Sequence, residues 1–107
     1  MNLYEVQVTP HAAAKLAKIY EYIAFELMEP VYAQAQFDNL TTSIQSLDTM
    51  PKRCKVYNDT LYPDCEIRRL LVDNYSVFYY IAGQCVIVTD ILYSRSDMLE
   101  RLKDVQI

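Results

Sequence analysis

The chain offers few side chains able to do chemistry on a substrate. Six of its cations fall into short runs: Lys52, Arg53 and Lys55, then Arg68 and Arg69, then Arg95. Guanidinium and ammonium groups grouped in this way suit a phosphate or carboxylate, because they supply charge-assisted donors in numbers. Nucleophiles and proton carriers are scarcer. The one histidine, His11, stands far from those runs. Cys54, Cys65 and Cys85 make an odd count with no zinc-type spacing, which reads as reduced, partly buried thiols and calls for no metal. Tyrosines are plentiful, but a free phenol with a pKa of about 10 is a poor acid or base at neutral pH. Most of these side chains have a plainer reading as solvated charges, ion pairs or packing aromatics.

Charge is unevenly spread. Residues 1–51 carry two lysines against six carboxylates, and residues 52–107 balance eight bases with eight acids, giving a net −4. A protein that grips nucleic acid along its backbone shows a broad basic surface. Here an anionic target must be met by a local patch. The start, MNLYEVQV, has no basic run before an apolar one, and no stretch approaches the roughly 20 apolar residues of a membrane span. These features predict a cytoplasmic protein without membrane contact. At 107 residues, one domain spanning 1–107 is expected, the 52% apolar content is enough for a core without metals or disulfides, and no cofactor is expected.

The elements that must position the cations can be read from periodicity. LYEVQV (3–8) alternates as a half-buried strand. Thr9-Pro10 is an N-cap followed by a first-turn proline, and Leu16, Ile19, Tyr20, Ile23 and Leu27 continue at helical spacing to about residue 28. Glu29-Pro30 breaks that helix, since a residue before proline is pushed out of the helical region. A second helix then carries Ala33, Phe37, Leu40, Ile44 and Leu47 on one stripe, and so short a break folds the pair into a hairpin. Residues 48–66 are turn-rich, with a short strand near 55–57. Strands follow at 67–72, 75–81 and 85–93, joined by Asp73-Asn74 and by Ala82-Gly83-Gln84. Residues 94–105 read as a short terminal helix or a tail. The expected fold is α+β, ordered β-α-α-β-β-β, with the helical hairpin on one face of a small, mainly antiparallel sheet.

Pairing 67–72 with 75–81 through a two-residue turn sets Val72 opposite Tyr75, Leu70 opposite Val77 and Arg68 opposite Tyr79. The alternate face receives Leu71 with Ser76, Arg69 with Phe78 and Ile67 with Tyr80. Both faces are apolar, and one hairpin covers one face. Leu70, Val72, Val77 and Ile81 are the greasier set and belong under the helices. The face with Arg69, Ser76, Phe78 and Tyr80 needs a second cover, supplied either by the chain's own 48–66 and terminal segments or by a partner.

Taken in order, P-K-R (51–53), I-R-R-L-L-V (67–72), N-Y-S-V-F-Y-Y-I (74–81) and I-L-Y-S-R-S-D (91–97) resemble the RelE/ParE superfamily. These are toxins of type II toxin–antitoxin, or plasmid stabilisation, systems. The resemblance spans nearly the whole chain. It implies a growth inhibitor paired with a cognate antitoxin that covers the apolar surface, with Leu71, Phe78, Tyr80 and Tyr93 as partner-binding residues. RelE-like members cut mRNA on the ribosome, and ParE-like members poison DNA gyrase. Cutting RNA through its 2′-hydroxyl needs a base, cations for the phosphorane and an acid for the leaving oxygen. The resemblance offers Lys52, Arg53, Arg69 and Arg95 for a metal-independent site of that kind. However, RelE-like members carry arginine where this chain has Ser76, and Tyr93 stands where some have histidine. That departure favours a ParE-like binding toxin. The alternatives are a remodelled ribosome-dependent endoribonuclease and a non-toxic relative that only pairs with an antitoxin.

Overall fold

In the computed structural model, residues 3–57 and 66–93 are described. Strand β1 (Glu5–Val8) leads through Thr9 into helix α1 (Pro10–Glu21). The Thr9 hydroxyl caps that helix, accepting the Ala12 N–H at 3.2 Å. The predicted helix to residue 28 is instead divided. After Glu21 the chain widens into a π-helical turn (Tyr22–Glu26), closed by the Leu27 N–H on the Tyr22 carbonyl. Met28 then takes a left-handed backbone, with φ 54°, and reverses the chain. This wider turn ends the apolar stripe early. Ile23 and Ala24 are buried, but Leu27, expected in the core, is 51% exposed.

Helix α2 (Pro30–Gln45) runs back beside α1. It buries Ala33, Leu40 and Ile44, followed by Leu47 in a 3-10 turn (Ser46–Asp48), while Phe37 is half-buried with its ring edge-on to Tyr20. A second 3-10 turn (Pro51–Arg53) precedes the two-residue strand β2 (Val56–Tyr57). Strands β3 (Ile67–Val72), β4 (Tyr75–Ala82) and β5 (Cys85–Tyr93) complete a five-stranded sheet in the order β1-β5-β4-β3-β2. Every pairing is antiparallel except β1 with β5. The fold is therefore two helices on a mainly antiparallel sheet. No helix among the described residues is long and apolar enough to cross a membrane. The terminal stretch read as a helix or tail lies outside the described residues, as do Arg95 and Cys65.

The β3–β4 register is the predicted one, from Val72 opposite Tyr75 to Arg68 opposite Tyr79. The helix-facing side also agrees. Val72, Val77 and Tyr79 are buried with Val86, Val88 and Ile91 against Ala12, Leu16 and Leu40, and Leu70 and Ile81 pack at the margin. In β5 the inward residues step from Val88 to Ile91 across a bulge between Phe78 and Tyr79 of its partner strand. That bulge places Asp90 where His11 and Lys15 of α1 reach it, at 3.3 and 3.7 Å.

Candidate functional site

The sheet face turned away from the helices is built by alternate residues of β3, β4 and β5. Ile67, Ser76 and Leu92 on this face are buried, Phe78 and Tyr80 are half-buried, and Leu71 is 61% exposed. Tyr57 of β2 extends the face, with its ring 5.1 Å from Phe78 and nearly perpendicular to it. The Arg69 guanidinium lies over the Tyr57 ring, 5.7 Å from its centre. The outcome is a cluster of Arg69, Tyr57 and Phe78 on the same face as an exposed Leu71. Three of the four partner-binding candidates, Leu71, Phe78 and Tyr80, share this face. Tyr93 does not. It pairs with Tyr75 on the helix side, their rings 5.3 Å apart.

The basic candidates divide by what their donors meet. Arg53 turns its guanidinium onto the end of α2, donating to the carbonyls of Ser46, Thr49 and Met50 and to the Ser46 hydroxyl. This ties the 51–53 turn back onto the turn that follows α2. Arg68 donates to the carbonyls of Lys52 and Cys54, at 3.2 and 2.6 Å, and pairs with Glu66. Those two side chains staple the 51–54 turn to its surroundings. Lys52 and Lys55 are exposed and make no ion pair among the described residues. Arg69 keeps its stack on Tyr57.

Proton carriers are poorly placed for attack on a phosphate. Tyr79 is buried and donates its hydroxyl to the Pro51 carbonyl. Burial, with the Cys54 thiol beside it, pushes its pKa well above the usual phenol range. His11 pairs with Asp90 at the start of α1. Ser76 is 3% exposed, opposite Leu71 on β3 and Leu92 on β5.

On the helix side, the α1–α2 hairpin and the sheet end enclose a half-open groove of about 640 Å³. Its walls include Lys18, Tyr22, Leu27, Tyr32, Tyr75 and Tyr93. Gln36, 5% exposed, forms part of it and donates to the Asp73 carboxylate, while Tyr32 donates to the Gln36 carbonyl oxygen. Sequence reasoning missed this groove. Leu27 looks like a core residue by spacing and is exposed where the π-helical turn ends, while Tyr22 and Tyr32 lie off the two apolar stripes.

Comparison with known proteins places this arrangement. The profile of the "ParE toxin of type II toxin-antitoxin system, parDE" matches residues 6–98, most of the chain. The chain belongs to the ParE toxin family. No curated protein matches it in sequence. Among solved structures, a chain of the chromosomal ParDE toxin–antitoxin system from P. aeruginosa superposes on this ParE-family fold with a TM-score of 0.70. The two are 18% identical, over 85% of this chain and 96% of that one. A chain of the archaeal RelE–RelB complex from Pyrococcus horikoshii OT3 gives a TM-score of 0.63 at 13% identity, covering 90% and 99%. At such identities the likeness is one of fold. It agrees with the superfamily resemblance drawn from the strand motifs.

Proposed function

We propose that this ParE-family chain is a growth-inhibiting toxin that acts by binding a target protein such as DNA gyrase. A cognate antitoxin holds it inactive by covering the sheet face of Leu71, Phe78 and Tyr80. The observation that carries the reading is Ser76. The resemblance to RelE-like nucleases calls for an arginine there, and this position is buried and neutral. A hydroxyl cannot replace a guanidinium that must face a phosphate. Arg53 and Arg68 do not fill the gap, because their donors are occupied by main-chain carbonyls. Purified toxin is expected to inhibit supercoiling by gyrase, and inhibition should vanish when antitoxin is added. Unimpaired supercoiling at a large molar excess of toxin would overturn the proposal.

One observation favours a ribosome-dependent endoribonuclease as the second reading. Arg69 on Tyr57, with Lys52 and Lys55 on neighbouring elements, offers cations beside an aromatic ring, a combination that suits unpaired RNA. Primer extension on translated transcripts after induction tests it. Cuts that disappear with Arg69→Ala would support this reading, and intact transcripts during growth arrest would remove it.

A further inference from the structure

Residues 51–57 cross the edge of the sheet with little apolar burial to hold them. They pair with β3 through Val56 and Tyr57 alone, and β2 is the last strand of the sheet. Within this segment Pro51 is buried and Cys54 half-buried, while Lys52, Arg53, Lys55, Val56 and Tyr57 are exposed. A stretch that buries so little apolar surface gains little from the hydrophobic effect while the rest of the fold is intact. It also begins under strain. Met50, immediately before it, has φ 49°, a region that disfavours any side chain with a Cβ.

What holds the segment is polar, and it comes from two neighbouring strands. Tyr79 of β4 donates its hydroxyl to the Pro51 carbonyl. Arg68 of β3 donates to the carbonyls of Lys52 and Cys54. The Arg69 N–H reaches the Lys55 carbonyl at 3.2 Å. Arg68 and Tyr79 stand opposite each other in the β3–β4 register, so their ties act at one place. Closure has a cost at that place too. The Arg68 side chain is 14% exposed, and the carboxylate it meets, Glu66, is 75% exposed. A guanidinium desolvated against carbonyls regains water when they leave, which offsets much of what its bonds supply. Gains and costs of closure therefore come close, which is the condition for a segment that opens while the sheet stays folded.

We infer that residues 51–57 are a strap that opens as one unit, latched by Arg68 and Tyr79, while the helices and the other strands stay folded. Closed, the strap sets Tyr57 against Phe78 and beneath Arg69. Open, it carries Tyr57, Lys52 and Lys55 away from that cluster and bares the edge of β3. The strap thus decides whether the cluster is assembled, and this holds whichever target the toxin has. The test is native-state hydrogen exchange at low urea, followed by NMR, with the Arg69 N–H read against the amides of β4 and β5. In the wild type the Arg69 amide should exchange roughly a hundredfold faster than those, with little dependence on urea. Arg68→Gln should speed it about tenfold, and Tyr79→Phe about fivefold or more, although Tyr79 ties Pro51 and not β2. Ile91→Val changes the core away from the strap. It should speed exchange in β4 and β5 about fivefold and leave the Arg69 amide unchanged, because the open and closed forms bury Ile91 alike. An Arg69 amide that exchanges as slowly as β4 and β5, with the same urea slope, overturns the inference. So does one that Ile91→Val speeds in step with those strands. An Arg69 amide indifferent to Tyr79→Phe also overturns it, since the opening would then be fraying of β2 alone. The wild-type urea dependence decides the matter without any variant, should one of them fail to fold.

Discussion

At the scale of single residues, the cations that look alike in the sequence have different work. Arg53 and Arg68 hold the 46–54 region together through carbonyls, and Arg69 lies on an aromatic ring. Nothing in the spacing of P-K-R or I-R-R distinguishes these roles, because the difference depends on which carbonyls the folded turn brings near. Tyr79 is the matching case among the tyrosines. Its hydroxyl meets the otherwise buried end of the 51–53 turn, so Tyr79→Phe should cost about 1–2 kcal/mol in urea unfolding. The raised pKa has a sign that can be checked. The neutral phenol is favoured in the folded state, so its contribution is complete below the unfolded-state value of about 10. It falls as pH rises beyond that, while the folded phenol stays protonated. Wild-type stability should therefore drop more steeply above about pH 10 than that of Tyr79→Phe. Ser76→Arg is the complementary test. A guanidinium forced into a 3% exposed position should destabilise the protein by about 3 kcal/mol or more. A stable Ser76→Arg protein that cuts RNA would mean the site is open to a cation after all.

At the scale of elements, turns decide where the surfaces lie. Asp73 sits at φ 54° in the β3–β4 hairpin, and its carboxylate accepts from both Gln36 and Asn39 of α2. It therefore fixes the hairpin's backbone and its docking on the helix. Asp73→Ala should lose about 2–3 kcal/mol by thermal or chemical unfolding, with Asp73→Asn losing less because asparagine tolerates the left-handed region. Met50 is in the same region at φ 49° and is 75% exposed, so it carries backbone strain without packing to offset it. Met50→Gly should accordingly raise stability by about 0.5–1 kcal/mol. The sequence made the β3–β4 pairing legible, since Asp73-Asn74 between two apolar runs permits one register that keeps both faces apolar. The helical hairpin was legible from Pro30 and the two stripes. The π-helical turn and the β5 bulge were not, because each inserts a residue into an otherwise regular period and no composition signal marks it. Those two irregularities are what expose Leu27 and set Asp90 against α1, so the groove stayed hidden with them.

At the scale of the whole molecule, one sheet separates two surfaces with different chemistry. On one side the helices cover Leu70, Val72 and Val77 and end in an apolar tip beside a groove. On the other, Leu71 is exposed next to Phe78, Tyr57 and Arg69. The division follows from a meander that is apolar on both sides with only two helices to cover it. Family membership fits this plan, because a toxin that is held silent needs surface for its inhibitor as well as for its target. The central claim is that the chain acts by occupying a protein target rather than by cutting RNA. Direct binding of purified toxin to DNA gyrase, followed by biolayer interferometry with antitoxin as competitor, tests it most plainly. The account predicts saturable binding that antitoxin displaces, while transcripts in arrested cells stay whole. No binding to gyrase, together with transcripts cut in the wild type and spared by Arg69→Ala, would contradict it.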